Sequence, residues 1–185
     1  MTTINIFSEN IHKDLAVDEK KAIQIAKKIL HFYLKEKNIF NSSCLFNFDF
    51  KCISFDILYC DNEKTHQINK EYRQKDYPAD IITFAIFADS EDKFVFDGEI
   101  NLGEIIISLD KVFEKGTENV GEKTDAIQNN RSPIHPFTHS TKEELYFLIA
   151  HGILHLLGFD HKTDEEYTFI VSAQKVALQK VKGEA

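Results

Sequence analysis

Between Asp18 and Glu36 the apolar residues Ala22, Ile25, Ala26, Ile29, Phe32 and Tyr33 recur at helical spacing, with Asp18 suited to cap the helix they predict. Elsewhere the pattern shortens. Thr3–Phe7 alternates weakly and predicts a short strand, and Cys44–Tyr59, rich in Phe, Ile and Cys, predicts one or two more. Asp61–Arg73 is polar apart from Ile68 and Tyr72 and predicts a surface helix that ends before Pro78. Asp80–Phe87 (DIITFAIF) and Leu102–Leu109 (LGEIIISL) predict buried strands. Thr141-x-x-Glu144 and Thr163-x-x-Glu166 are capping-box patterns. The first opens an apolar helix to Leu157 with Gly158 as its stop. The second opens a last helix with Tyr167, Ile170, Val171, Leu178 and Val181 on one face. This order, with four strands among the helices, predicts a small α+β (α/β-like) sheet domain.

Length and composition narrow the classes. A chain of 185 residues is expected to form one domain, 1–185, able to bury a core without staples. With 43% hydrophobic and 28% charged residues it is neither wholly disordered nor fibrous. No apolar run approaches the ~18 residues of a membrane span. The start of the chain lacks a basic, then apolar, leader pattern. Cys44, Cys52 and Cys60 are odd in number and form no C-x-x-C pair, against a disulfide framework or a cysteine zinc site. A reduced, cytoplasmic protein is the expectation. The net charge of −8 argues against broad electrostatic binding of nucleic acid but leaves room for one focused basic site. Thr117–His139 is polar, carries Pro133 and Pro136 and lacks periodicity, and is read as a flexible insertion, 117–139.

The chemistry concentrates in His151-Gly-Ile-Leu-His155-Leu-Leu-Gly158-Phe-Asp-His161. The segment from Tyr146 to Leu157 is apolar nearly all round, so its helix should be buried. Histidines at i and i+4 project from one face, close enough to share an ion at ~2.0–2.1 Å. Gly158 permits a sharp exit that returns His161 as a third ligand. Three neutral imidazoles with an open fourth position describe a catalytic zinc site, which generates hydroxide at neutral pH. Other divalent transition metals suit imidazole too. Asp160 is a candidate to orient a ligand ring. His135 and His139, in the polar connection, are read as loop residues rather than a fourth ligand. The spacing is also that of metzincin proteases, but Gly152 stands where their general-base glutamate belongs, so peptide hydrolysis would need another base.

The stretch HGILHLLGFDH resembles the signature of the YbeY family, bacterial rRNA maturation factors. Asn69-Lys-Glu-Tyr-Arg73-Gln-Lys-Asp76-Tyr-Pro78-Ala-Asp80-Ile-Ile-Thr83-Phe84 resembles the family's arginine block, and Leu102-Gly103-Glu104-Ile105-Ile106-Ile107-Ser108 resembles its l-G-D-I-x-I-s strand. The blocks follow the family's order over roughly Phe50 to Val181. The resemblance implies a small mixed sheet flanked by helices, one metal on His151, His155 and His161, and Arg73 as a functional arginine. It implies a single-strand-specific endoribonuclease acting in 16S rRNA 3′-end maturation and ribosome quality control, with ribosomal RNA and the small ribosomal subunit or its proteins as partners. Arginine suits phosphate because it binds in a bidentate way, and Lys70 and Lys75 beside it are candidates for RNA contact. The sequence departs from the family pattern at Ala79 (usually threonine), at Glu104 (usually aspartate) and in the longer 117–139 connection. Two other readings stand beside it: a zinc hydrolase of peptides or small molecules, and a non-catalytic ribosome-assembly factor with a structural metal site.

Overall fold

The computed structural model describes residues 2–118 and 139–183. The elements run β1 (Thr3–Asn10), α1 (Glu19–Lys35), α2 (Lys37–Phe40), β2 (Cys52–Cys60), α3 (Asn62–Arg73), β3 (Ile81–Phe84), α4 (Ile86–Asp89), β4 (Glu99–Ser108), α5 (Leu109–Glu118), α6 (His139–Leu156) and α7 (Asp164–Gly183). The four strands form one mixed sheet in the order β1-β2-β4-β3. β1, β2 and β4 are parallel, and β3 returns antiparallel along the edge beside β4. The α+β reading therefore holds.

Alternation along β4 divides the core. Ile105 and Ile107 face the larger cluster, which includes Ile29 and Tyr33 of α1 and Ile149 and Ile153 of α6. Ile106 faces the other way, into a smaller cluster with Cys60, Ile82 and Ile68 of α3. A strand clothed on both faces needs continuous apolar sequence, which is what Ile105-Ile106-Ile107 provides. Ala79 packs against this smaller cluster. Glu104 lies on the same side of the sheet, where burial and the nearby Asp56 push its carboxyl above the usual range.

Helix α6 and strand β4 approach closely because position 152 has no side chain. A Cβ there would sit 2.8 Å from Ile105 Cδ1. At Gly103, φ is +123° and a Cβ would collide with the Phe84 carbonyl oxygen. The register slips between Ser54 and Asp56 at this point, so Gly103 sits in a bulge that lets β3 end and the chain turn into α4.

Several sequence expectations need correction. Cys44–Tyr59 is not strand throughout: turns occupy its first part, and β2 begins only at Cys52. Asp80–Phe87 divides into β3 and the short α4, with Ala85 between them. α5 was not expected, because β4 runs into it without a loop. Ser108 marks the boundary: its Oγ accepts from Lys111 N–H. Thr141 is not an N-cap, because α6 already starts at His139, and Thr141 is buried against Gly116 of α5. Tyr167 is exposed rather than part of the inner face of α7. The ends of the polar connection are helical, with Thr117 in α5 and His139 in α6. The reading of a flexible insertion, and His135 with it, otherwise falls on residues 119–138, outside the described residues.

Candidate metal centre and its cleft

Helix α6 is buried at Leu148, Ile149, Ala150, Ile153 and Leu154, so His151 and His155 are anchored in a wall that cannot rotate. Gly158, with φ +91°, ends the helix. Its N–H donates to the His155 carbonyl and the Phe159 N–H reaches back to Leu154, a Schellman closure. The Cys44 N–H donates to the Leu157 carbonyl at 2.9 Å, so the turn after α2 caps the same end. The reversed chain brings His161 over the two helical rings, its centroid 5.4 Å from His151 and 5.2 Å from His155. Thr163 and Glu166 then cap α7 reciprocally: Glu166 N–H donates to Thr163 Oγ1 and Thr163 N–H to Glu166 Oε2.

The Nε2 atoms of His151 and His155 stand 2.9 Å apart, and one ligating atom from each of the three histidines lies within 4.8 Å of the others. Tetrahedral coordination at 2.0–2.1 Å needs nitrogens ~3.4 Å apart. Small ring rotations provide that, so the donor set fits one ion. Burial, and then the charge of His155, hold His151 well below an ordinary imidazole, at about 4. His155 is lowered as well, first by burial and then by His161. Both rings are therefore neutral at pH 7, the form that ligates a metal. Among the described residues no fourth histidine, cysteine or carboxylate joins the cluster.

The histidines open on a cleft of about 410 Å³, also lined by Arg73, Ile81, Thr83, Ala85, Asp89 and Asp160. Arg73 is the last residue of α3, where Gln74 takes a left-handed conformation and reverses the chain. Asn69, almost wholly buried, holds that reversal: its Nδ2 donates to the Tyr77 carbonyl, and its own carbonyl accepts from Lys75 N–H. Arg73 is close enough to His155 for its charge to lower that imidazole.

The other sequence candidates lie apart from the rings. Asp160 lines the cleft, but its Oδ1 accepts from the His161 backbone N–H and its Oδ2 pairs with Lys162. Lys70 is paired with exposed Asp76 at 3.0 Å, and neither Lys70 nor Lys75 lines the cleft. Two residues were missed. Asn69 was read only as part of the arginine block. Gln174, wholly buried on α7, donates to the Phe147 carbonyl of α6 and sets its amide beside His151. A lone glutamine among Ile170, Ala173 and Ala177 was the signal that marked it.

The class so defined is an α+β protein whose buried helix and following turn gather three imidazoles able to hold a metal ion. The chain belongs to the YbeY endoribonuclease family, whose description, endoribonuclease YbeY, matches residues 7–182. It is 31% identical over 174 residues to the endoribonuclease YbeY of Malacoplasma penetrans, covering 94% of each chain. It is 41% identical over 122 residues to that of Bacillus licheniformis, covering 64% of this chain and 66% of the relative. Both relatives are named as endoribonucleases. The solution structure of a Thermotoga maritima protein shares the fold, with TM-score 0.52 at 20% identity over 98% of this chain and 91% of that one.

Proposed function

We propose that this protein is a zinc-dependent, single-strand-specific endoribonuclease acting in 16S rRNA 3′-end maturation and ribosome quality control. The observation that carries the reading is the meeting of three imidazoles and Arg73 in one cleft. An ion held by His151, His155 and His161 supplies Lewis-acid stabilisation and an activated nucleophile at neutral pH. The chain supplies the rest. Burial keeps two of the ligands deprotonated. Arg73, with its planar fork of donors, holds a non-bridging phosphate oxygen pair and offsets the charge that grows on it during cleavage. Thr83 and Ala85, on and just after the edge strand, form the wall along which a single strand would lie. No helix among the described residues is long and apolar enough to cross a membrane. The three cysteines are free, which suits the reducing cytoplasm, where ribosomal RNA and the small subunit are the expected partners.

Against peptide hydrolysis, Gly152 stands where the general-base glutamate belongs, and a side chain there would have to displace Ile105. The test uses tag-free protein whose bound metal is counted per chain. It is assayed on a labelled single-stranded RNA bearing the 16S 3′ region, on its duplex, and on small-subunit particles. Cleavage of the single strand, lost on chelation and restored by zinc, is expected. Zinc-loaded protein that cleaves none of the three would overturn the reading in favour of a non-catalytic role.

A further inference from the structure

We propose that Gln174 is the positioning residue for His151: its buried Oε1 accepts the proton on Nδ1, so that Nε2 is the atom offered to the metal. The inference rests on the metal-centre reading above and extends it to a residue outside the histidine motif.

His151 Nε2 faces His155 Nε2 at 2.9 Å, which turns Nδ1 away from the cluster. A histidine that ligates through one nitrogen generally donates its other N–H to a fixed acceptor, which sets both tautomer and ring angle. Asp160 does not fill that role for His151, because its two oxygens are taken by the His161 backbone and Lys162. Gln174 sits where an acceptor is needed. Its side chain is wholly buried, and its Nε2 donates to the Phe147 carbonyl at 3.3 Å. Phe147 lies one turn before His151 on α6, and helical side chains lean toward the N-terminus, so the His151 ring lies over that same turn. With its NH₂ committed, the amide has a defined orientation. Its Oε1 is buried and has no hydrogen-bond partner. An acceptor in that state is costly unless it meets a donor. Nδ1–H is the donor that satisfies it.

The test compares zinc affinity, by chelator competition, in the wild type, Gln174→Met and Gln174→Leu. Ile170→Val, one turn earlier on α7, serves as a packing control. The two Gln174 variants keep volume but lose the acceptor, and zinc binding is expected to weaken roughly 10–100-fold, while Ile170→Val stays near the wild type. Long-range ¹⁵N–¹H spectra of the zinc-loaded wild type should show His151 as the Nδ1–H tautomer with a slowly exchanging proton. That signal should exchange faster in Gln174→Met. Wild-type affinity in both Gln174 variants, or His151 coordinated through Nδ1, would overturn the inference and leave the metal centre standing. A folded wild type that binds no zinc would overturn the centre and the inference together. If neither variant folds, the wild-type spectrum alone decides.

Discussion

Helices α3 and α6 both end in a left-handed residue, Gln74 and Gly158, and both carry a candidate site side chain in the last turn, Arg73 and His155. There the likeness stops. α6 is packed between the sheet and its neighbouring helices, and its imidazoles are largely shielded from water. α3 lies on the opposite side of the sheet over a small cluster, and Arg73 at its end is exposed. An ion needs donors held within tenths of an ångström. A phosphate that arrives with each substrate needs an arm that can reach and adjust. On the proposed function, the buried helix would supply the first and the exposed one the second.

That contrast breaks most visibly if the two ends are cut separately. His155→Ala should abolish stoichiometric metal and, with it, RNA cleavage. Arg73→Ala should keep one metal per chain and lower cleavage by about 10²–10³-fold, with Arg73→Lys only partly restored because lysine lacks the bidentate fork. Metal analysis and cleavage rates on the same samples check both. Loss of metal in Arg73→Ala would mean that the two ends are not independent.

Acid should find α6 and spare α3. His151 takes up its proton near pH 4 when folded but near 6.5 when unfolded. Between those values the unfolded chain binds more protons, so the stability of the metal-free protein is complete above about pH 6.5 and falls as pH drops through the window. The expected loss is about 1–3 kcal/mol, read as urea midpoints at pH 7.5 and pH 5. Zinc should shift the onset to lower pH, because it competes with the same protons.

The smallest effect tests the turn itself. A Cβ at Gly158 meets only ordinary contacts, Cys44 Cβ at 3.4 Å and Ala88 Cβ at 3.5 Å, so Gly158→Ala costs little but backbone strain. About 1 kcal/mol of stability should go, with a modest loss of metal affinity as His161 is displaced. Unchanged affinity would show that His161 is held by the α7 cap rather than by the turn.

Much of this arrangement could be read from local pattern because its determinants are local. The three histidines, Gly158 and the Thr163–Glu166 cap lie within one continuous stretch, and helical spacing alone puts two of the rings on one face. The helix α1 and a small sheet domain followed from periodicity, while the mixed sheet followed from the family resemblance. What escaped depends on partners far along the chain. Asn69 matters because it reaches the Tyr77 carbonyl, and Gln174 because it reaches Phe147. α5 was hidden because Leu109 continues the apolar run of β4 into the first turn of the helix. Lys70 looked like free positive charge until its tie to Asp76 was visible.

The sheet has one more consequence, for synthesis. All four strands are encoded before Leu109, yet Ile105 and Ile107 are covered partly by α6, which ends at Leu156. At ~5–20 residues per second, a ribosome leaves that side of the nascent sheet without its second helix for roughly 2–10 s. During that interval the growing protein offers an apolar surface to any chaperone at the exit tunnel, until the apolar face of α6, with Ile149 and Ile153, emerges to cover it.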